Sequence, residues 1–325
     1  MLPPKTLPRK SPRKKPVARK AASPKLVAHR DWLERSLGGV RVLQATSLAR
    51  IPWLVHGFST RPGGVSPLNG EKALNLSFTD WDTRENVLQN RRRFLTALAG
   101  PAAPGAGNGT AREMKLVALK QIHSDVVHPF DTLPKEACQG DASITEQPGL
   151  LLGVQTADCV PILLVDPKRR AVAAVHAGWR GTLARIVAKT VGQLQMRFGS
   201  KPAELLAAIG PSIGGCCYEV GTEVATQFMS QFADAADYFD ELRTGDEPNP
   251  LQWLNMMPPG HQPAPKNVLL DLPKANRSQL LAAGLHDANI TVSDFCTACR
   301  RDLFFSYRKE GAATGRMLSA IGIAR

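Results

Sequence analysis

No run in this chain approaches the roughly 18 consecutive apolar residues of a membrane-spanning helix, although 43% of its 325 residues are hydrophobic. A helical membrane span is therefore not expected. A secretory apolar segment is missing as well, and six cysteines are too few for a disulfide scaffold in a chain of this length. A reducing, cytoplasmic setting is the expectation. The sequence has no internal repeat, no second C-x-x-C and no short H-x-x-x-H ligand pair. Acidic residues are absent from positions 1–30, which hold ten Lys or Arg, so of the net +13 the other 295 residues carry 13 − 10 = +3. The basic character belongs mainly to the N-terminal end.

What is present divides the chain in two. Residues 1–28 alternate Pro, Lys, Arg, Ala and Ser with no apolar period. Such a tail has almost nothing to bury against the entropy of ordering and reads as disordered, with weak charge-driven contact to nucleic acid as its only expected partner. Residues 29–325 read as one catalytic domain. Trp53–Ser59 is a strand running into a glycine-rich loop, Thr60–Ser66. Thr83 is the N-cap of a helix ending before Gly100, and Met114–Ile122 is a strand delivering His123. An apolar stripe predicts one helix over Thr182–Phe198, stopped by Gly199. Further helices are expected at Val224–Phe239 and Pro273–Ala283, with short strands at Leu205–Ile209, Val268–Asp271 and Ile290–Ser293. Pro101–Thr110 and Thr244–Lys266 read as inserted loops. Strands and helices mix without a strict βαβ rhythm, which favours an α+β fold with a mixed sheet.

The chain is organised around Thr156–Gly181. Two apolar runs, Val160–Val165 and Ala171–Val175, flank Asp166-Pro167-Lys168-Arg169 and read as a β-hairpin. A turn centred between Pro167 and Lys168 makes Cys159 and His176 direct cross-strand partners, a separation that suits two ligands of one metal or a Cys–His catalytic pair. His123 also follows a strand-like run, so three ligands and a free fourth position, the layout of a catalytic zinc site, can converge at one end of a sheet. Gly178-Trp179-Arg180-Gly181 stands at the following strand–helix junction, where backbone N–H groups face an anion. Phe304–Arg308 reads as a strand with a cation at its end, beside a tight turn at Gly311–Gly315. Cys296-x-x-Cys299 and Cys216-Cys217 read as ordinary cysteines, because neither has a second half nearby in sequence.

Taken in order, Gln121-Ile122-His123, Gly140-Asp141-Ala142, Thr156–Pro161, His176–Gly181, Tyr218-Glu219-Val220-Gly221, Cys296-Thr297, Phe304–Arg308 and Gly315-Arg316 resemble the blocks of the YfiH-like, or laccase-domain, family, also called polyphenol oxidases and purine nucleoside phosphorylase-like proteins. The resemblance covers roughly residues 50–325. It implies that His123, Cys159 and His176 bind a catalytic zinc. It also implies phosphorolysis of adenosine, inosine, guanosine and S-methyl-5'-thioadenosine, together with adenosine deamination. Thr60–Gly64 and Asn75-Leu76 match the family's substrate-loop pattern, so Arg61, Asn75, Asp141, Asp158, Trp179, Arg180 and Arg308 are the expected substrate-binding residues. Expected partners are purine nucleosides and phosphate, with the chain a monomer. Alternatives are a copper-dependent phenol oxidase and a role in editing cell-wall precursors. His2Cys is also a copper ligand set. An oxidase needs a further histidine-rich cluster, however, and only His29, His56, His128, His261 and His286 remain, which favours zinc.

Overall fold

The computed structural model describes residues 25–29, 31–99, 114–241 and 267–324. Residues 1–24 of the tail and both inserted loops, 101–110 and 244–266, lie outside the described residues. In chain order the strands are β1 (Lys25–His29), β2 (Trp32–Leu37), β3 (Val40–Ala45), β4 (Leu54–Ser59), β5 (Pro62–Leu68), β6 (Glu71–Ala73), β7 (Lys115–Ala118), β8 (Val127–Pro129) and β9 (Ala142–Thr145). They continue with β10 (Leu150–Thr156), β11 (Val160–Asp166), β12 (Ala171–Ala177), β13 (Leu206–Ile209), β14 (Glu219–Val220), β15 (Phe239–Glu241), β16 (Val268–Leu270), β17 (Ile290–Val292) and β18 (Met317–Ile323). The helices are α1 (Thr46–Ala49), α2 (Arg84–Ala99), α3 (Trp179–Leu183), α4 (Ile186–Phe198), α5 (Thr222–Gln231), α6 (Leu272–Ala282) and α7 (Tyr307–Glu310).

A seven-stranded sheet, β1-β2-β3-β4-β18-β10-β7, packs against a six-stranded one, β17-β13-β11-β12-β9-β8, and both mix parallel and antiparallel pairs. The fold is α+β, as expected. β11 is apolar from Val160 to Val165 because both of its faces are covered. Val160, Ile162 and Leu164 join the layer beneath α4 and α6, whereas Leu163 and Val165 point between the sheets toward Leu152, Val154 and Ile321. On the outer face of the seven-stranded sheet, Phe94, Ala97 and Leu98 of α2 meet Leu151, Leu318 and Ala320. Each fully buried Leu or Phe in these layers stabilises by roughly 1.5–3 kcal/mol.

Helix ends obey local chemistry. The Thr83 hydroxyl accepts the Asn86 N–H at 3.2 Å, and the Asp271 carboxylate accepts the Lys274 N–H at 2.9 Å, which fixes where α2 and α6 begin. Gly199, in the left-handed region at φ 65°, ends α4.

Several elements differ from the sequence reading. The helix expected over Thr182–Phe198 is two helices, broken at Arg185, whose φ is 63°. The break is held from outside, because the Thr182 carbonyl accepts the Gln279 side chain at 2.8 Å and the Arg185 guanidinium donates to the Gln231 carbonyl at 2.7 Å. The Val224–Phe239 helix stops at Gln231. The chain beyond it is drawn onto β16, where Phe239 pairs with Leu270. The supposed loop at Thr60–Ser66 is largely β5, whose glycines let backbones touch: a Cβ on Gly64 would lie 1.9 Å from the Ala73 carbonyl. Phe304–Arg308 is no strand, since consecutive Phe304 and Phe305 are both fully buried and a short helix starts at Tyr307. Lys25–His29, divided by the expected boundary at residue 28, is a strand paired with β2.

Candidate metal centre

The chain passes from one sheet to the other at Ala157-Asp158-Cys159, between the end of β10 and the start of β11. Asp158 makes the corner in the left-handed region, at φ 89°. Such a conformation costs a non-glycine residue of order 1–3 kcal/mol and persists only when its surroundings over-determine it. Here they do. The Asp158 carboxylate accepts the Thr297 hydroxyl and the Arg308 backbone N–H, each at 2.6 Å, and its carbonyl accepts the Ile213 N–H at 2.9 Å.

The β11–β12 register corrects the expected one. His176 pairs with Pro161, and Asp166 with Ala171, so the turn is centred one residue later than the sequence suggests. The Asp166 carboxylate fixes it by accepting the Lys168 and Arg169 N–H groups at 2.9 Å. Cys159 therefore lies outside the ladder, and the Asp158 corner, not cross-strand pairing, carries its thiol to His176.

His123 arrives differently again. β7 ends at Ala118 rather than Ile122, and the chain then bends with His123 at φ 59°. The fully buried carboxylate of Asp141 holds this bend, accepting the N–H groups of His123 at 3.0 Å and Ser124 at 2.6 Å and the Ser124 hydroxyl at 2.7 Å. The same carboxylate accepts His176 Nδ1–H at 2.8 Å. One acid thus orients both histidines, and His176 keeps Nε2 as its free ligand atom.

His123, Cys159 and His176 present ligand atoms that all lie within 4.8 Å of one another, with Cys159 Sγ 3.8 Å from His123 Nε2. Burial pushes the Cys159 thiol up, but the charge of His176 and hydrogen bonds from both histidines outweigh it and bring the pKa down to about 6. Burial pulls His176 down, and the Cys159 thiolate and Asp141 reverse this, raising it to about 9. Asp141 is held well below the usual carboxylate range: its burial is outweighed by hydrogen bonds from His176 and Ser124. The donors fit a metal ion. Two imidazoles and a thiolate stand together with a carboxylate behind one ring, and a Cβ on Gly178 would come within 2.9 Å of His123 Cδ2 and 3.1 Å of Cys159 Sγ. Glycine at 178 leaves that space open.

Around this centre stand the Arg180 guanidinium, 4.4 Å over the Trp179 ring, and that of Arg308, 5.2 Å over the Tyr218 ring. Burial and then the negative charge at Cys159 push the Tyr218 phenol up to about 12. Arg316 stacks 5.5 Å over Tyr307 and feels the same charge. Two expected substrate residues are occupied otherwise. Arg61 is buried, paired with Glu310 at 2.6 Å and stacked 5.4 Å over Phe305. Asn75 is buried too, its side chain hydrogen-bonded to Ser77, Asp82 and the Arg316 N–H. Ser124, Tyr218, Thr297 and Arg316 were not singled out from sequence as site residues, although all but Ser124 lie within the motif blocks quoted above. Their roles depend on folding Ser124 against Asp141, and the other three against Cys159 and Asp158.

The family described as "Multi-copper polyphenol oxidoreductase laccase" matches residues 55–324. A purine nucleoside phosphorylase of Deinococcus radiodurans is 38% identical over 290 residues, covering 88% of this chain and 94% of its own. Adenosine deaminase RL5, from an unknown prokaryotic organism, is 34% identical over 276 residues, covering 82% of this chain and 93% of its own. Among solved structures, the hypothetical protein YfiH of Bacillus licheniformis superposes with a TM-score of 0.72 at 30% identity, covering 89% of this chain and 97% of its own.

Proposed function

From the premise that this chain belongs to the laccase-domain family to which those relatives are similar, we propose that it is a zinc-dependent purine nucleoside phosphorylase with adenosine deaminase activity. Its substrates on this reading are adenosine, inosine, guanosine and S-methyl-5'-thioadenosine. The observation that carries the proposal is the His123–Cys159–His176 triad, backed by Asp141 and bordered by cationic side chains. His123 Nε2, Cys159 Sγ and His176 Nε2 would hold the ion, which supplies Lewis acidity at an open fourth position.

The chain's own groups do the rest. In phosphorolysis a phosphate oxygen bonds to C1′ of the ribose while the bond from C1′ to the purine nitrogen breaks, so the site must hold an anion beside a nucleoside. Arg180 and Arg308 are both exposed side chains at the rim, each stacked on an aromatic ring that limits its freedom. Arg316 adds a third, half-buried cation. Arg61, already paired with Glu310, shapes the wall behind them. Asp141 and Asp158 act as positioning residues, because their carboxylates are spent on His176, Ser124, Thr297 and Arg308.

A multicopper phenol oxidase fits the donors less well. Among the described residues, the groups able to hold a metal are this triad and a set of four cysteines, and neither adds a histidine cluster. The expected cytoplasmic setting and monomeric state belong with the nucleoside reading; among the described residues no helix is long and apolar enough to cross a membrane.

The test is product identification from each nucleoside with and without phosphate, alongside zinc analysis of the wild type and Cys159→Ala. Free base and ribose 1-phosphate that require phosphate, lost together with the triad's zinc in the variant, are the expected result. Wild-type activity in Cys159→Ala would overturn the reading.

A further inference from the structure

Four cysteines read from sequence as unrelated are brought together by the fold. Cys216-Cys217 follow β13, and Cys296-x-x-Cys299 follow β17, its parallel neighbour. Both loops therefore leave the same end of the sheet. They are pinned to each other by a bridge between Ser212 and Cys296 and by the Thr297 N–H donating to the Ser212 carbonyl at 2.9 Å. The Sγ atoms of Cys216, Cys217, Cys296 and Cys299 consequently all lie within 4.8 Å of one another.

The spacing inside the group is specific. Cys216 and Cys217 are 3.8 Å apart, Cys216 and Cys299 3.7 Å, and Cys217 and Cys299 3.5 Å. A tetrahedral ion with zinc–sulfur bonds of about 2.3 Å requires sulfur–sulfur edges of about 3.8 Å. Three near-equal edges are what one central ion demands. Disulfides would instead pair the sulfurs off, two by two. An iron–sulfur cluster would need the thiols spread around a core of several atoms, which this spacing does not allow.

The backbone completes the arrangement. The Arg300 N–H closes the C-x-x-C turn onto the Cys296 carbonyl at 3.0 Å, and the Cys217 N–H closes the other turn onto the Gly214 carbonyl at 3.0 Å. The Gly214 N–H points at Cys296 Sγ, 3.3 Å away, as a donor to a thiolate ligand would.

We propose that Cys216, Cys217, Cys296 and Cys299 form a second metal site, a closed tetrathiolate holding one zinc ion that fastens the loop carrying Tyr218 to the loop carrying Thr297. Four protein ligands leave no open position, so the site is structural. It lies outside the His123–Cys159–His176 triad and shares no ligand with it. Soft thiolates select zinc over the harder divalent ions. Through Tyr218, stacked under Arg308, and Thr297, bonded to Asp158, the ion braces two sides of the candidate active site without touching it.

The test isolates this site in the full chain. A Cys159→Ser/His176→Ala variant, purified with reductant, should retain one equivalent of zinc. Replaced by cobalt, that ion should give the intense ligand-field and sulfur-to-cobalt bands of a tetrahedral tetrathiolate. Five free thiols should titrate after denaturation with chelator. A variant with no retained metal, a cobalt spectrum lacking those bands, or a thiol count of three would overturn the proposal, the last by revealing a disulfide. In the otherwise unaltered chain, Cys216→Ser/Cys299→Ser should lower zinc content by one equivalent. Should that variant fail to fold, the cobalt spectrum of the first one still decides.

Discussion

Asp141 is the residue on which the site turns. It has no surface and five donors, four of them from Ile122, His123 and Ser124, the segment that aims His123, and one from His176 itself. Asp141→Asn keeps the shape but puts an amide hydrogen where one donor must be accepted. Loss of such a carboxylate behind a ligating histidine typically costs about 10–100-fold in metal affinity. That loss should appear in zinc competition with a chromophoric chelator, while near-ultraviolet dichroism stays native; unchanged affinity would make the Asp141–His176 bond incidental. The pair Cys159 and His176 predicts a pH dependence. With Cys159 lowered to about 6 and His176 raised to about 9, the metal-free protein holds a thiolate and an imidazolium between those values. Ligands must be deprotonated to bind, so metal entry there expels one proton, from His176. Apparent affinity should rise about tenfold per pH unit across that window, more steeply below it, and flatten above it. A flat profile between the two values would mean that His176 is already neutral.

At the scale of elements, α7 and the Asp158 corner connect the candidate metal centre to the cationic rim. The Arg308 backbone N–H is bound by Asp158, whereas its side chain projects over Tyr218. Arg308→Ala therefore removes the cation and keeps the anchor. Phosphorolysis should fall far more than deamination, chiefly through a raised KM for phosphate, and His176→Ala should remove both; equal losses in Arg308→Ala would assign the arginine to nucleoside binding instead. Elements whose signal is local were legible in the sequence. Thr83 marks the start of α2, and the apolar runs on either side of Asp166-Pro167 mark β11 and β12. What depends on a partner far along the chain was not. Gln279 splits the helix at Arg185, β16 takes the segment after α5, and a one-residue shift of the turn changes which side chains face each other. His123, Cys159 and His176 were identified by motif, and their grouping agrees with it, but the reason they meet is the left-handed Asp158, which no pattern announces. The four-cysteine group was missed because its halves are about 80 residues apart and only the β13–β17 pairing joins them.

For the whole molecule, the net charge concentrates at the N-terminal end. Positions 1–30 carry ten basic residues and no acid, yet Lys25–His29 already belongs to the seven-stranded sheet. Deleting residues 1–24 should leave the melting temperature and nucleoside turnover unchanged and abolish salt-sensitive retention on a polyanion column. Undiminished retention would place the basic surface on the folded body. The same sheet imposes an order of events on synthesis. Its interior strand β18 lies between β4 and β10, and the Leu318 N–H reaches the Ser59 hydroxyl across 259 residues. At a translation rate of roughly 5–20 residues per second, β4 waits on the order of 13–50 s for that neighbour. During the interval the β4 edge that β18 will cover has no partner, so closing this sheet depends on a pairing of high sequence separation that the last strand supplies.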